Sequence, residues 1–222
     1  MRAHRATSRS SIDASNVAPE RLRATCDDGP MRLADVTTAL ARTDDDVPGV
    51  VAARHFVDRH GAAALRREGG PEHLTASCFV FSPDLEQTLL CLHRKGGFWV
   101  QFGGHLEPDD RDLADTARRE AREESGIADL ELLDGRIVDV DRHDLHDGFG
   151  RCAAHWDVGF VALVDPSAAT AASDESDDVR WFPVGALPDA LPSTFPRRLL
   201  AARDAARRSI GTPVRTDWPG RL

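Results

Sequence analysis

Three glutamates, Glu120, Glu123 and Glu124, stand at i, i+3 and i+4 in the stretch GGHLEPDDRDLADTARREAREESGI, residues 103–127. On a helix turning about 100° per residue, these spacings put the three carboxylates on one arc. Leu113, Ala114, Ala117 and Ala121 fall on a neighbouring arc, the expected buried face, and Arg111, Asp115, Arg118 and Arg122 fall on the solvent side. Like charges at helical spacing repel, and Glu123 and Glu124 lie near the helix C-terminus, where the macrodipole disfavours anions. A hard divalent cation offsets this repulsion, because Mg²⁺ takes oxygen ligands and bridges carboxylates to substrate phosphates. The competing reading is a solvated acidic helix without a ligand.

The flanking residues are suited to positioning such a helix. Gly103 and Gly104 allow a tight turn and a close approach of backbone to a ligand. Glu107-Pro108-Asp109-Asp110 interrupts any strand, and an aspartate there can cap the helix. The helix is expected from Arg111 or Asp112 to Ser125, with Gly126 at the left-handed position that ends it.

At these residues the chain resembles the Nudix hydrolases. The second half of that family's signature is met in full by Arg119-Glu120-Ala121-Arg122-Glu123-Glu124-Ser125-Gly126-Ile127. The first half departs from it. Asp110 stands where the glutamate after Gly104 belongs, and eight residues rather than seven separate it from Arg119. One inserted residue before the helix accounts for both and leaves the role of Asp110 open. The resemblance implies an α/β (α+β) fold, a mixed sheet between helices, and hydrolysis of a nucleoside diphosphate linked to another group. It implies that Glu120, Glu123, Glu124 and the Gly103 carbonyl hold Mg²⁺, with Mn²⁺ as the alternative. Arg119 is expected to orient a glutamate, and the general base to be a glutamate of the cluster or Glu175. A loop in the region of Glu175 often supplies an extra acid in this family; a merely solvated loop is the other reading. Two further classes remain: a non-catalytic nucleotide sensor, and chemistry like that of isopentenyl-diphosphate isomerase, which needs a pocket cysteine.

The rest of the chain sets the frame. Its 222 residues, 41% hydrophobic and 29% charged, suit one domain plus an extension. No apolar run reaches membrane-span length, and the N-terminus lacks an apolar segment after its arginines, so a cytoplasmic location is expected. The net charge of −9 argues against a nucleic-acid partner, and bound cations would let such a chain accept a polyanion. Members of the family are often dimers, so a homodimer is among the expected assemblies. The four cysteines, Cys26, Cys78, Cys91 and Cys152, lack metal-ligand spacing.

In chain order, residues 1–29 are expected as a disordered tail, 30–72 as a helical N-terminal extension, 73–210 as the Nudix domain and 211–222 as a C-terminal tail. The extension has helices near 30–41 and 48–60, with Val50, Val51, Phe56 and Val57 facing the sheet, and a short helix over 62–67. Strands are expected over 74–82, 88–93, 131–140 and 155–164, a polar loop over 141–151 with His143 and His146, and helices over 184–190 and 196–209, the latter burying Leu199, Leu200 and Ala206. Candidate substrate contacts are Arg94 and Lys95 in a basic turn, Trp99 at the entry to the glycines, and His155 and Asp157 on one strand face. The plainer readings are an exposed hairpin turn for the first pair and core for the aromatic. The histidines near 143–155 suggest a metal, but no regular spacing supports zinc.

Overall fold

The computed structural model describes residues 31–145 and 152–211. The expected tail at 1–29, residues 212–222, and His146, Gly148 and Gly150 lie outside them.

The sheet is built on β1 (Glu72–Phe81), whose run of Leu, Cys, Phe and Val favours an extended chain. β1 pairs in parallel with β6 (Ala154–Leu163), from Glu72 opposite Ala154 to Phe81 opposite Leu163. Two strands share its other edge. β2 (Gln87–His93) holds its C-terminal end through Val80 and Phe81, and β4 (Phe102–His105) pairs antiparallel with Thr75–Cys78. β2 then splays away to pair with β3 (Phe98–Val100) and β7 (Ser176–Pro183), while β5 (Asp139–Asp144) flanks β6. The result is a seven-stranded mixed sheet in the order β3-β2-β1-β6-β5, with β4 on β1 and β7 on β2.

Both faces of the sheet are covered, so β1 is buried from His73 to Phe81 and its sequence does not alternate. Leu74, Ala76, Cys78 and Val80 join a core shared with α1 (Leu33–Arg42), α2 (Val50–His60) and α3 (Leu113–Ser125). Phe79 and Phe81 face a second core shared with α4 (Phe195–Gly211). This is the expected sheet between helices.

The N-terminal helices are continuous with the first core. Val36, Leu40, Val50, Ala53, Phe56 and Val57 are buried in it, and Phe56 stacks on Trp156 with ring centroids 4.9 Å apart. The Val140 N–H donates to the Pro48 carbonyl at 2.8 Å, and the Met31 N–H donates to the Asp110 carbonyl at 2.8 Å. Val51 does not take part. It is 41% exposed, one helical step away from the inward line of Val50, Ala53 and Val57. A chain beginning at Glu72 would uncover this surface. Each buried aliphatic or aromatic side chain lost is worth about 1.5–3 kcal/mol. Such a chain is expected to aggregate, which the soluble fraction after expression and size-exclusion chromatography would measure; a soluble, folded product would show the helices to be a separate appendage.

Several local expectations change. The short helix over 62–67 is a pair of 3-10 turns, Gly61–Leu65 and Arg67–Gly69. The strand over 131–140 reduces to one bridge, Leu132 to Ala162, because a turn at Asp134-Gly135, with Gly135 at φ 65°, breaks the run. Strand β5 instead covers Asp139–Asp144, part of the expected loop, because β6 offers it a free edge. Residues 184–190 are irregular, consistent with Pro183 and Pro188, which lack N–H donors. On α4, Leu199, Ala202 and Ala206 are buried, but Leu200 is 53% exposed.

Candidate active site

Helix α3 begins at Asp112, whose side chain accepts the Asp115 N–H at 2.7 Å, and ends at Gly126, with φ 74°. Leu113, Ala117 and Ala121 are buried against β1, as their spacing predicts. That packing turns the glutamate arc onto the backbone of β4. The Gly103 N–H donates to Glu124 Oε2 at 2.9 Å. The Glu120 carboxylate lies against Gly104 so closely that a Cβ there would stand 2.4 Å from Oε1. Glu123 remains exposed beside them. The glycine is therefore required by the carboxylate behind it. Gly104→Ala is expected to keep the melting temperature within a few degrees, since a side-chain end can move aside, and to lower turnover at least tenfold by displacing Glu120. Paired thermal and kinetic measurements would check this. Intact activity would show that Glu120 need not sit there.

Arg119 ties the cluster together. Its Nε and one Nη hold Asp110 bidentately at 2.9 and 3.0 Å, the same Nη donates to the His105 carbonyl at 3.0 Å, and the other Nη donates to Glu120 Oε1 at 3.0 Å and Glu123 Oε2 at 3.3 Å. Asp110 also accepts from the Glu107 N–H and from Thr116 Oγ1, each at 2.8 Å. This gives Asp110 a role. It anchors the arginine that contacts Glu120 and Glu123.

Electrostatically the glutamates are unlike surface acids. Burial pushes Glu120 up to about 7, against the pull of Arg119. Burial pushes Glu124 up to about 8, opposed by its bond from Gly103 and reinforced by Glu120, Glu175 and Glu123. Glu175, on an exposed loop, is thus near enough for its charge to be felt by both. Two buried carboxylates with raised pKa values, Glu120 and Glu124, beside the exposed Glu123 and against the β4 backbone, suit a divalent cation by donor type and charge.

The other candidates are not gathered there. Arg94 is engaged with the segment before β7: its side chain pairs with Asp177 at 2.7 Å and donates to the Asp174 and Ser176 carbonyls. These contacts tie the Glu175 loop to the end of β2. Lys95 is exposed in the adjacent turn. Trp99 is core: it is 9% exposed, edge-on to Phe182 at 4.7 Å, with Arg180 over its ring. Asp157 is buried on the α4 side of the sheet, away from α3. It accepts from Thr75 Oγ1, Ser77 Oγ and Gln101 Nε2 and pairs with Arg198 at 2.8 Å. His155 shares that face and lies among other histidines. Asp157 and His155 thus lie on the face of the sheet turned away from the glutamates. Reading by residue type overlooks Arg198, although its spacing from Phe195 and Ala202 puts it on the buried stripe of α4.

A family model described as NUDIX domain matches residues 71–203, more than half of the chain. The chain belongs to the Nudix family. Nudix proteins hydrolyse pyrophosphate bonds and generally use divalent metal ions. Among solved structures, a MutT protein from Methanosarcina mazei Go1 is 20% identical, with 64% of this chain and 98% of that chain covered and a TM-score of 0.48. An Ap4A hydrolase from C. elegans is 15% identical, covering 61% and 97%, with a TM-score of 0.49. The Nudix domain of Shewanella oneidensis NrtR, complexed with ADP ribose, is 18% identical, covering 68% and 96%, with a TM-score of 0.48. Likenesses this distant carry nothing about substrate. No curated protein matches the chain. Among the described residues, no helix is long and apolar enough to cross a membrane.

Proposed function

We propose that this Nudix protein hydrolyses an internal phosphoanhydride of a nucleoside diphosphate derivative or nucleoside triphosphate. The observation that carries this reading is the carboxylate cluster on β4: Glu120 against Gly104, Glu124 held by the Gly103 N–H, and Arg119 braced by Asp110. Glu120, Glu123, Glu124 and the Gly103 carbonyl would hold Mg²⁺ or Mn²⁺, which when bound neutralises phosphate charge and acidifies water. Arg119 fixes Glu120 through Oε1, leaving Oε2 to take the proton of the attacking water. Glu123 accepts from the same Nη of that guanidinium, and Glu175 adds negative charge felt by Glu120 and Glu124. The substrate is a small-molecule nucleotide, and the chain acts in the cytoplasm, alone or as a homodimer.

The isomerase reading is weakened by Cys91. Burial, reinforced by the Glu124 charge, pushes its thiol up to about 12, far from a nucleophilic thiolate. The sensor reading is weakened by the retention of every acidic position in the second half of the signature. The deciding experiment is product chromatography after incubation with Mg²⁺ and ADP-ribose, dinucleoside polyphosphates, nucleotide sugars, or canonical and oxidised nucleoside triphosphates. Cleavage at an anhydride is expected. Binding without turnover across the panel would favour the sensor, and cleavage of a phosphomonoester alone would overturn the assignment.

The raised carboxyls also set a pH dependence. Glu120 and Glu124 have folded values of about 7 and about 8, above the ordinary 4.5. The folded state therefore holds protons that the unfolded chain releases. The stability from these groups is full below about pH 4.5 and is lost as pH rises through 7 and 8. With a chelator present, the melting temperature should fall across that window, and millimolar Mg²⁺ should restore more of it at the alkaline end. Melting curves that ignore both pH and Mg²⁺ would place the cation elsewhere.

A further inference from the structure

The face of the sheet turned away from α3 carries a second set of ligating side chains. His73 on β1 stands opposite His155 on β6, His105 on β4 is opposite Thr75, and His143 on β5 is opposite His155. Four neighbouring strands thus bring four imidazoles to one face. His73, His105 and His155 form a near-equilateral triangle, with ring centroids 5.1, 4.9 and 5.1 Å apart. Cys152, just before β6, completes the group: one ligand atom from each of His73, His105, Cys152 and His155 lies within 4.8 Å of all the others.

A buried histidine normally spends its ring nitrogens on hydrogen bonds. These do not. Both ring nitrogens of His73, which is 1% exposed, and the Nε2 atoms of His105 and His155 are buried with no hydrogen-bond partner among the described residues. Among the described residues these rings leave four buried nitrogens without a partner; a cation at the centre of the triangle would satisfy three imidazoles at once.

We propose that His73, His105, His155 and Cys152 bind a borderline-soft transition-metal ion, with Zn²⁺ as the best fit, at a site distinct from the carboxylate cluster. Three imidazoles and one thiolate are a tetrahedral zinc donor set, whereas Mg²⁺ selects oxygen. Binding would release the Cys152 thiol proton to solvent, and small side-chain shifts would bring the four ligands to bonding distance. With four protein ligands the site is closed, which marks it as structural. Its effect would be to clamp β1, β4 and β6 together at the residue that follows Gly104, so that the glycine backbone facing Glu120 is held from the other side of the sheet.

The test uses the full chain, stripped with chelator and titrated with Co²⁺ as a spectroscopic probe and then with Zn²⁺. Expected are one tightly held equivalent, the visible bands of tetrahedral cobalt, a near-ultraviolet thiolate-to-cobalt band, displacement by Zn²⁺, and a melting temperature raised by either ion. Cys152→Ser, at a half-buried position outside the strands, should fold, lose the charge-transfer band and weaken binding at least about tenfold. His155→Gln should lose the tetrahedral spectrum. Glu123→Gln, which impairs the carboxylate site, should leave the cobalt spectrum intact. The proposal is overturned if the wild-type chain shows only weak octahedral cobalt that Glu123→Gln abolishes, or if Cys152→Ser binds Co²⁺ with unchanged affinity and spectrum.

Discussion

Glu123→Gln is expected to lower kcat by about three orders of magnitude while leaving the fold intact. The substitution keeps the size of the side chain and removes the charge. A metal ion contributes several kcal/mol of transition-state stabilisation, and each 1.36 kcal/mol is about tenfold in rate. Glu123 is the exposed member of the cluster, so its loss should not disturb packing. Glu124→Gln should match it in rate but also perturb β4, because Glu124 is buried and accepts the Gly103 N–H. Steady-state kinetics with saturating substrate and Mg²⁺, beside circular dichroism, would separate the two effects. A Glu123→Gln protein with unchanged kcat would remove this cluster from the chemistry.

Among single substitutions, the largest expected loss of stability comes from Arg198→Met. Arg198 is 3% exposed and pairs with two buried aspartates, Asp139 on β5 and Asp157 on β6. It joins α4 to the sheet, and its guanidinium also lies over the Phe79 ring at 5.3 Å. Removing one partner of a buried ion pair leaves uncompensated charge and costs about 3–5 kcal/mol. Two aspartates would be stranded here, although Asp157 keeps the hydroxyls of Thr75 and Ser77. Urea unfolding would measure the loss. A triple variant that also replaces both aspartates by apolar residues should recover part of it, because no buried charge then remains. A loss below about 1 kcal/mol for Arg198→Met would mean that α4 is held by its apolar stripe alone.

The active helix is legible in the amino-acid sequence because its information is local. The apolar spacing of Leu113, Ala117 and Ala121, the cap at Asp112, the stop at Gly126 and the three glutamates all lie within one helical segment, and a 3.6-residue period maps them onto faces without further knowledge. The apolar runs of β1 and β6 and the sheet between helices are legible for the same reason. Where extended conformation depends on a partner, local pattern misleads: residues 131–140 have the composition of a strand, yet before Asp139 they touch β6 through a single bridge at Leu132, and the continuous ladder begins at Asp139. Side-chain roles set by distant residues are also hidden. Trp99 and Asp157 resemble ligand contacts along the chain, but Phe182, Arg180 and Arg198 claim them. Asp110 departs from the expected residue type and spacing in the linear sequence, and only its bidentate pair with Arg119 shows what it does there. The histidines are the clearest case. His73, His105, Cys152 and His155 have no ligand spacing in sequence, because they come from β1, β4 and the approach to β6. Parallel pairing of β1 with β6 and antiparallel pairing of β1 with β4 set them side by side. Strand register is a long-range property, fixed by which faces must be buried, and no local period encodes it.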